Sequence, residues 1–362
     1  MKLVIAAGGT GGHLFPGLAV GEVFLSRGHQ VMLLISEKEI DALATQGRGG
    51  EFRIEKVRGV GLQSKSPVAL VKFLFQFRAG LNQVKALYRD FQPDAVLGMG
   101  GFTSTAPILA GRSRKIPTFV HESNAIPGKA NRLNGRLARR VLLGFSECAR
   151  FFPEGKCEVT GTPIRASLAV RIEKAKALAA FGFQPGRRTI LVMGGSQGAH
   201  GINQALVNAL PEIAGRPFQI IHLAGKQDEA MLREAYGRAA IPAYVAAFCH
   251  SMEEAYSAAD FAIVRSGAAS LTELSHFALP AILIPYPHAA EDHQTFNAKI
   301  FEREGAAALL QEREITGGIL AKKLLWFFDD PARLSEASKR SASLAPEQAA
   351  GTVADTILKY CS

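Results

Sequence analysis

Lys2-Leu3-Val4-Ile5-Ala6-Ala7-Gly8-Gly9-Thr10-Gly11-Gly12-His13 opens the chain, and Thr189-Ile190-Leu191-Val192-Met193-Gly194-Gly195-Ser196-Gln197-Gly198-Ala199 repeats its plan midway. In each stretch a short apolar run ends in a glycine-rich turn. A helical pattern follows, from about Pro16 to Arg27 after the first turn and from Ile202 onward after the second. The first helix leads into another apolar run, Gln30 to Ile35. Strand, glycine turn, helix, strand is the opening of a doubly wound α/β domain. The repetition predicts two such domains in succession.

Working outward from these stretches, apolar runs end at Leu97, Val120 and Leu143 in the first half, and an Arg- and Asn-rich helical stretch covers Ala130 to Arg140. Gly161-Thr162-Pro163-Ile164-Arg165 reads as a linker, because Gly and Pro interrupt any element there. Strand-like runs recur at Phe218–Leu223, Tyr244–Phe248, Phe261–Val264 and Ala281–Ile284, and the tail reads as helices. A length of 362 residues suits two domains.

Composition narrows the function classes. No apolar stretch reaches the ~18 residues that suggest a membrane span, and the N-terminus lacks the h-region and cleavage site of a signal peptide. Cys148, Cys157, Cys249 and Cys361 form no CxxC pair, so neither a zinc site nor a redox motif is expected, and a reducing cytoplasm is. Residues 1–165 carry 23 Lys and Arg against 12 Asp and Glu, while the rest carry 19 against 20. The excess positive charge of +10 thus lies in the first half, which is expected to face something anionic: nucleic acid, lipid or a phosphate-bearing substrate.

A glycine turn between strand and helix presents backbone N–H groups at the positive end of a helix dipole, a ready phosphate site. The first turn is not the dinucleotide fingerprint, since Leu14 stands where the third glycine is needed. Glu37, ending the second apolar run, keeps an oxidoreductase open on this ground alone. Neither turn ends in Gly-Lys-Ser/Thr, which argues against a P-loop NTPase. In the second half, Arg265-Ser266-Gly267-Ala268-Ala269-Ser270-Leu271-Thr272-Glu273 reads as a strand end, small residues and a helix start able to hold a diphosphate. Glu273 is spaced to accept both hydroxyls of a ribose, or merely to face the helix dipole. His288, Glu291, Asp292 and His293 sit at a loop–helix junction with too few neighbouring ligands for a metal site, and no Asp-x-Asp occurs. Leaving-group charge would then be met by helix dipoles and cations.

Residues 67–91 form a membrane candidate. Phe73, Leu74 and Phe77 fall on one helical face, flanked by Lys72, Arg78, Lys85 and Arg89. Such a pattern fits either core or a docking face for anionic lipid.

Several motifs, in order along nearly the whole chain, resemble the MurG family of bacterial N-acetylglucosaminyltransferases. They are Gly8-Gly9-Thr10-Gly11-Gly12-His13-Leu14-Phe15-Pro16-Gly17-Leu18-Ala19, Gly98-Met99-Gly100-Gly101-Phe102, His121-Glu122-Ser123-Asn124, Gly161-Thr162-Pro163-Ile164-Arg165, Gly194-Gly195-Ser196-Gln197-Gly198-Ala199, Arg265-Ser266-Gly267-Ala268 and His293-Gln294-Thr295-Phe296-Asn297-Ala298. The resemblance implies an α/β GT-B fold of two Rossmann-like domains facing a cleft. Residues 1–163 would form an acceptor- and membrane-associated domain and 164–345 a UDP-sugar domain, with a 346–362 helix packing back on the first. It implies inverting, metal-independent transfer of N-acetylglucosamine from UDP-N-acetylglucosamine to the C4 hydroxyl of the muramyl residue of undecaprenyl-diphosphate-linked muramyl peptide (lipid I), giving lipid II. The enzyme would sit peripherally on the anionic cytoplasmic face of the bacterial membrane. A related GT-B enzyme with another lipid or small acceptor is the alternative. No cofactor and no nucleic acid are implied.

Carried over residue by residue, Thr10, Gly11 and Gly12 would lie at the sugar diphosphate, Asn124 at the donor sugar, and Arg165 and Ser196 at the diphosphate. Cys249 would hold uracil through its backbone, Ala268, Ala269, Ser270, Leu271, Thr272 and Glu273 would cradle phosphate and ribose, and Gln294 would meet sugar hydroxyls. His13 is the expected general base and His121 the second candidate. This sequence departs from the family pattern at Ser123, where Gln is usual, at Phe102, where Tyr is common, and at Cys249, usually aliphatic.

Overall fold

Leu3, Val4, Ile5 and Ala6 are all fully buried, which explains why their run is continuous rather than alternating: the strand they form is covered on both faces. In the computed structural model, residues 1–37, 50–58, 66–195 and 198–361 are described. Two compact units emerge, Met1–Ala166 with Pro346–Ser362, and Ser167–Ala345.

The first unit holds a parallel sheet of strands β1 (Lys2–Ala6), β2 (Gln30–Ile35), β3 (Arg53–Lys56), β4 (Ala95–Gly98), β5 (Thr118–Glu122), β6 (Arg140–Leu143) and β7 (Cys157–Val159), in the order β3-β2-β1-β4-β5-β6-β7. The order reverses between β1 and β4, where Ala6 pairs with Gly98. Crevices outside the carboxyl ends of strands at such a reversal are where ligands bind in this architecture. The second unit repeats the plan with β8 (Arg188–Met193), β9 (Phe218–Leu223), β10 (Ala243–Ala246), β11 (Phe261–Val264), β12 (Ala281–Leu283) and β13 (Ala307–Leu309), ordered β10-β9-β8-β11-β12-β13. Its reversal lies between β8 and β11, with Met193 opposite Val264. Both glycine turns therefore stand at reversal points.

The final helix, Ala349–Cys361, belongs to the first unit. Val353, Ala354 and Ile357 share a core with Leu3, Leu18, Val20 and Phe24. Asp355 pairs with Arg27, and a Cβ on Gly161 would fall 2.2 Å from that of Pro346.

The helix after the first glycine turn runs Gly11–Ser26, a turn and more earlier than Pro16 suggests. Pro16 lies inside it, and the first turn is closed by the His13 and Leu14 N–H groups donating to the Thr10 carbonyl at 3.1 Å. The Arg-rich helix spans Lys129–Leu137.

Helix Pro67–Phe91 starts at Ser66, whose hydroxyl accepts from the Ala69 N–H, and Pro67 occupies the first turn. Gly80, Val84, Tyr88 and Phe91 bury its C-terminal half at spacings of three and four. The N-terminal half is different. Val68, Leu70, Val71, Leu74 and Phe75 are exposed, while Phe73 and Phe77 are half-buried and stack with centroids 5.8 Å apart. The sequence-based face of Phe73, Leu74 and Phe77 is thus corrected: of the three only Leu74 is exposed, and it joins Val68, Val71 and Phe75. Among the described residues no helix is long and apolar enough to cross a membrane.

Candidate active site

In the first unit, the β1 glycine turn delivers Thr10 in an extended conformation before helix Gly11–Ser26, with no side-chain cap bond. The first helical N–H groups have no partner within a helix. Those of Gly11 and Gly12 head this one, and Gly12 and Thr10 are exposed. His13, half-buried, packs onto the β4 turn: a Cβ on Gly100 would fall 2.7 Å from His13 Cε1 and 2.9 Å from Nδ1. Gly100 has φ +113° and Gly101 +68°, so the turn both needs glycine for its conformation and leaves the imidazole room. Asn131 Nδ2 reaches within 3.3 Å of the same point. His13, the Gly100–Gly101 turn and Asn131 therefore meet at the reversal point.

His121 ends differently. It is fully buried, its Nε2 donates to the Gly161 carbonyl at 3.0 Å and Nδ1 lies 3.3 Å from Ser123 Oγ. A carbonyl only accepts, which fixes the Nε2–H tautomer. Burial pushes its pKa below the ordinary imidazole value, partly opposed by the Gly161 bond. Both ring nitrogens are committed, a geometry that joins β5 to the 161–165 segment and offers no nitrogen to a substrate.

Glu122 is buried and accepts from the Asn124 backbone N–H (2.9 Å), Asn124 Nδ2 (3.0 Å), Asn131 Nδ2 (2.9 Å) and the Gly128 N–H (3.3 Å). This carboxylate orients Asn124 and starts helix Lys129–Leu137. Arg165 lies with its guanidinium carbon 4.4 Å from the Phe15 ring centroid. It thus joins the first unit, beside the first glycine turn.

In the second unit, Gly195 and Gly198 take φ of +96° and +77° before helix His200–Ile213, and a Cβ on Gly198 would fall 2.3 Å from the Ala224 carbonyl oxygen. Ser196 lies outside the described residues. After β11, Gly267 precedes helix Ala268–His276, whose first turn carries no acid and no side-chain cap. The N–H groups of Ala268, Ala269 and Ser270 head it. Leu271 and Thr272 continue this helix. Leu271 is fully buried with its N–H on the Gly267 carbonyl, and the Thr272 hydroxyl donates to the Ala268 carbonyl. Glu273 is half-exposed and accepts from the Tyr256 hydroxyl at 2.6 Å.

Arg265 is a buried tie. Its Nη1 donates to the Ile284 and Pro285 carbonyls at 3.2 and 3.0 Å and pairs with Glu312 at 2.7 Å, and its guanidinium lies 5.6 Å from the Tyr286 ring. The Tyr286 N–H donates to Gln294 Oε1 at 2.9 Å, and the Gln294 carbonyl accepts from Ser266. The first of these bonds fixes the Gln294 amide with its oxygen on the Tyr286 N–H. Cys249 is buried between exposed Phe248 and His250, and burial raises its thiol pKa. Asp292 accepts from Thr295, and His293 Nδ1 donates to the Ala290 carbonyl at 2.6 Å. Among the described residues no three His, Cys, Asp or Glu side chains converge on a metal position.

The residues missed from sequence are Glu122, Asn131, Tyr256 and Glu312. Glu122 carried a signal in its place between His121 and Asn124, and the others act from distant positions in the chain.

Residues 3–143 match the glycosyltransferase family 28 N-terminal domain and 189–353 its C-terminal domain. The UDP-N-acetylglucosamine–N-acetylmuramyl-(pentapeptide) pyrophosphoryl-undecaprenol N-acetylglucosamine transferase of Geotalea daltonii is 37% identical over 98% of this chain and 96% of its own. The enzyme of the same name from Geobacter metallireducens is 38% identical over 99% and 98%. The crystal structure of Acinetobacter baumannii MurG superimposes with a TM-score of 0.79 at 28% identity, covering 99% of both chains.

Proposed function

The chain belongs to glycosyltransferase family 28 and, within it, to the MurG enzymes, and on that premise we propose that it transfers N-acetylglucosamine from UDP-N-acetylglucosamine to an undecaprenyl-diphosphate-linked muramyl pentapeptide. The acceptor oxygen is the C4 hydroxyl of the muramyl sugar, and the product is lipid II. The observation that carries the reading is a repeated device: at both reversal points a glycine turn opens a helix whose first N–H groups have no side-chain cap. Such helix starts stabilise the charge that develops on a departing diphosphate.

The roles follow from the chemistry. Inversion needs the acceptor hydroxyl to lose its proton as it attacks opposite the leaving UDP. His13, half-buried beside the exposed Gly12, is the base. His121, with both nitrogens engaged, is instead a joint between β5 and Gly161. Thr10, Gly11 and Gly12 face the sugar diphosphate, and Glu122 holds Asn124 toward the donor sugar. The Ala268–Ser270 N–H groups of the second unit receive the diphosphate. Glu273 takes the ribose hydroxyls, the Cys249 backbone takes uracil, and Gln294 offers its amide nitrogen to sugar hydroxyls. No metal takes part.

The apolar face Val68, Val71, Leu74 and Phe75, with Lys72 and Arg78 beside it, docks the first domain on anionic lipid at the cytoplasmic membrane surface. Replacing His13 by Ala tests the catalytic core of this reading. It is expected to lower kcat by about a hundredfold or more while leaving UDP affinity close to wild type. Near-normal kcat in His13→Ala beside an inactive, folded His121→Ala would move the role to His121.

A further inference from the structure

The carboxylate that takes the ribose in the reading above is itself held by a buried phenol. Tyr256 lies on helix Met252–Ala258 with only 1% of its surface exposed, and its hydroxyl donates to Glu273 Oε2 at 2.6 Å. Its ring stacks on Phe277, just past the helix that carries Glu273, with centroids 5.1 Å apart and planes 22° from parallel. The hydroxyl also lies 3.9 Å from Met193 Sδ, at the end of β8. Ring and hydroxyl are thus fixed from two sides.

A glutamate at a half-exposed helix position samples several rotamers, each aiming its carboxylate elsewhere. A bond from a buried, immobile donor selects one of them. The bond is charge-assisted and short, the strong kind. Tyr256 does not reach solvent and so has no direct part in donor binding.

We propose that Tyr256 is the positioning residue for ribose recognition, presetting the Glu273 carboxylate so that both oxygens keep one orientation toward the ribose hydroxyls. The proposal rests on the assignment of Glu273 to the ribose. Preorganisation of this kind strengthens binding by removing the cost of ordering the side chain on contact. It also makes a distinctive claim: the effect of Tyr256 must pass through the hydroxyls of the sugar and vanish when they are absent.

The test measures affinities of the full chain for UDP and for 2′,3′-dideoxy-UDP, by calorimetry, in wild type, Tyr256→Phe and Glu273→Gln. Removing one oxygen from Tyr256 leaves the stacked ring in place, so the variant folds. Wild type is expected to prefer UDP by about tenfold or more, the size of one hydrogen bond to a charged group. Tyr256→Phe is expected to lose most of that preference by weakening UDP alone, with 2′,3′-dideoxy-UDP within about twofold of its wild-type affinity. Glu273→Gln is expected to lose the preference as well. Equal weakening of both nucleotides in Tyr256→Phe, or an unchanged preference beside a lost one in Glu273→Gln, overturns the positioning role while sparing the ribose assignment. A wild-type preference surviving in Glu273→Gln overturns the ribose assignment itself, and the proposal with it.

Discussion

Replacing Gly100 by Ala is expected to slow catalysis by displacing the general base, His13, while leaving the donor site untouched. The new Cβ would fall 2.7 Å from His13 Cε1 and 2.9 Å from Nδ1. Carbon atoms in contact sit about 3.5–4.0 Å apart, so the imidazole must retreat by roughly 0.8 Å or more, or the turn must shift instead. The φ of +113° at Gly100 adds backbone strain on the order of 1–3 kcal/mol for any other residue. A misplacement of about 1 Å in a catalytic group can cost about a hundredfold in rate. Gly100→Ala should therefore lower kcat by about ten- to a hundredfold, with UDP affinity unchanged and the fold retained. Steady-state kinetics with a lipid-linked acceptor, UDP titration and urea unfolding read the three quantities. The variant acts through His13, so combining it with His13→Ala should cost little beyond His13→Ala alone. Wild-type kcat in Gly100→Ala, or full additivity of the two losses, would refute this account of the seat.

Turnover should persist in excess chelator, because helix starts rather than a metal meet the leaving group; loss of activity restored by Mg²⁺ or Mn²⁺ would contradict this. Val71→Glu with Phe75→Glu should abolish sedimentation with anionic vesicles and leave stability nearly unchanged, since these side chains are 52% and 71% exposed; binding indifferent to lipid charge and salt would count against the docking face. His222 is buried between Tyr236 and Asn203, and burial pushes its pKa down to about 3. The unfolded chain binds that proton near pH 6.5, so stability is full above that pH and is lost as pH falls toward 3, by at most about 1.4 kcal/mol per unit. Urea unfolding across this range should show a shallower acid decline in His222→Gln, and an unchanged slope would show that His222 stays neutral for another reason or is not the group involved.

The legible parts of this protein were local ones. β1, β2, β8, β9 and β11 read directly because each is buried on both faces and so gives an unbroken apolar run. β3 and β7 did not, because short edge strands such as Arg53-Ile54-Glu55-Lys56 carry charge and little apolar signal, and β13 is only three residues long. Both glycine turns were visible for the same reason that they matter: several glycines stand in consecutive positions. Pro16 misled on the start of its helix, since proline favours a first turn but is tolerated near one. On helix Pro67–Phe91, apolar residues occur on several sides of the N-terminal half, so periodicity could not say which of them the sheet would bury. The side chains that hold the site in place come from afar. Asn131 meets the turn at Gly100, Tyr256 reaches Glu273 across 17 positions, and Glu312 reaches Arg265. No local pattern encodes such meetings, which arise only when the two sheets order their strands.

The purified chain, given UDP-N-acetylglucosamine and a soluble analogue of undecaprenyl-diphosphate-linked muramyl pentapeptide, should yield one product heavier by a single N-acetylhexosamine residue. That residue should be joined to the muramyl C4 oxygen in the β configuration by mass spectrometry and NMR, and His13→Ala should yield almost none. An α linkage, transfer to another oxygen, or UDP release without any glycosylated acceptor would contradict the account.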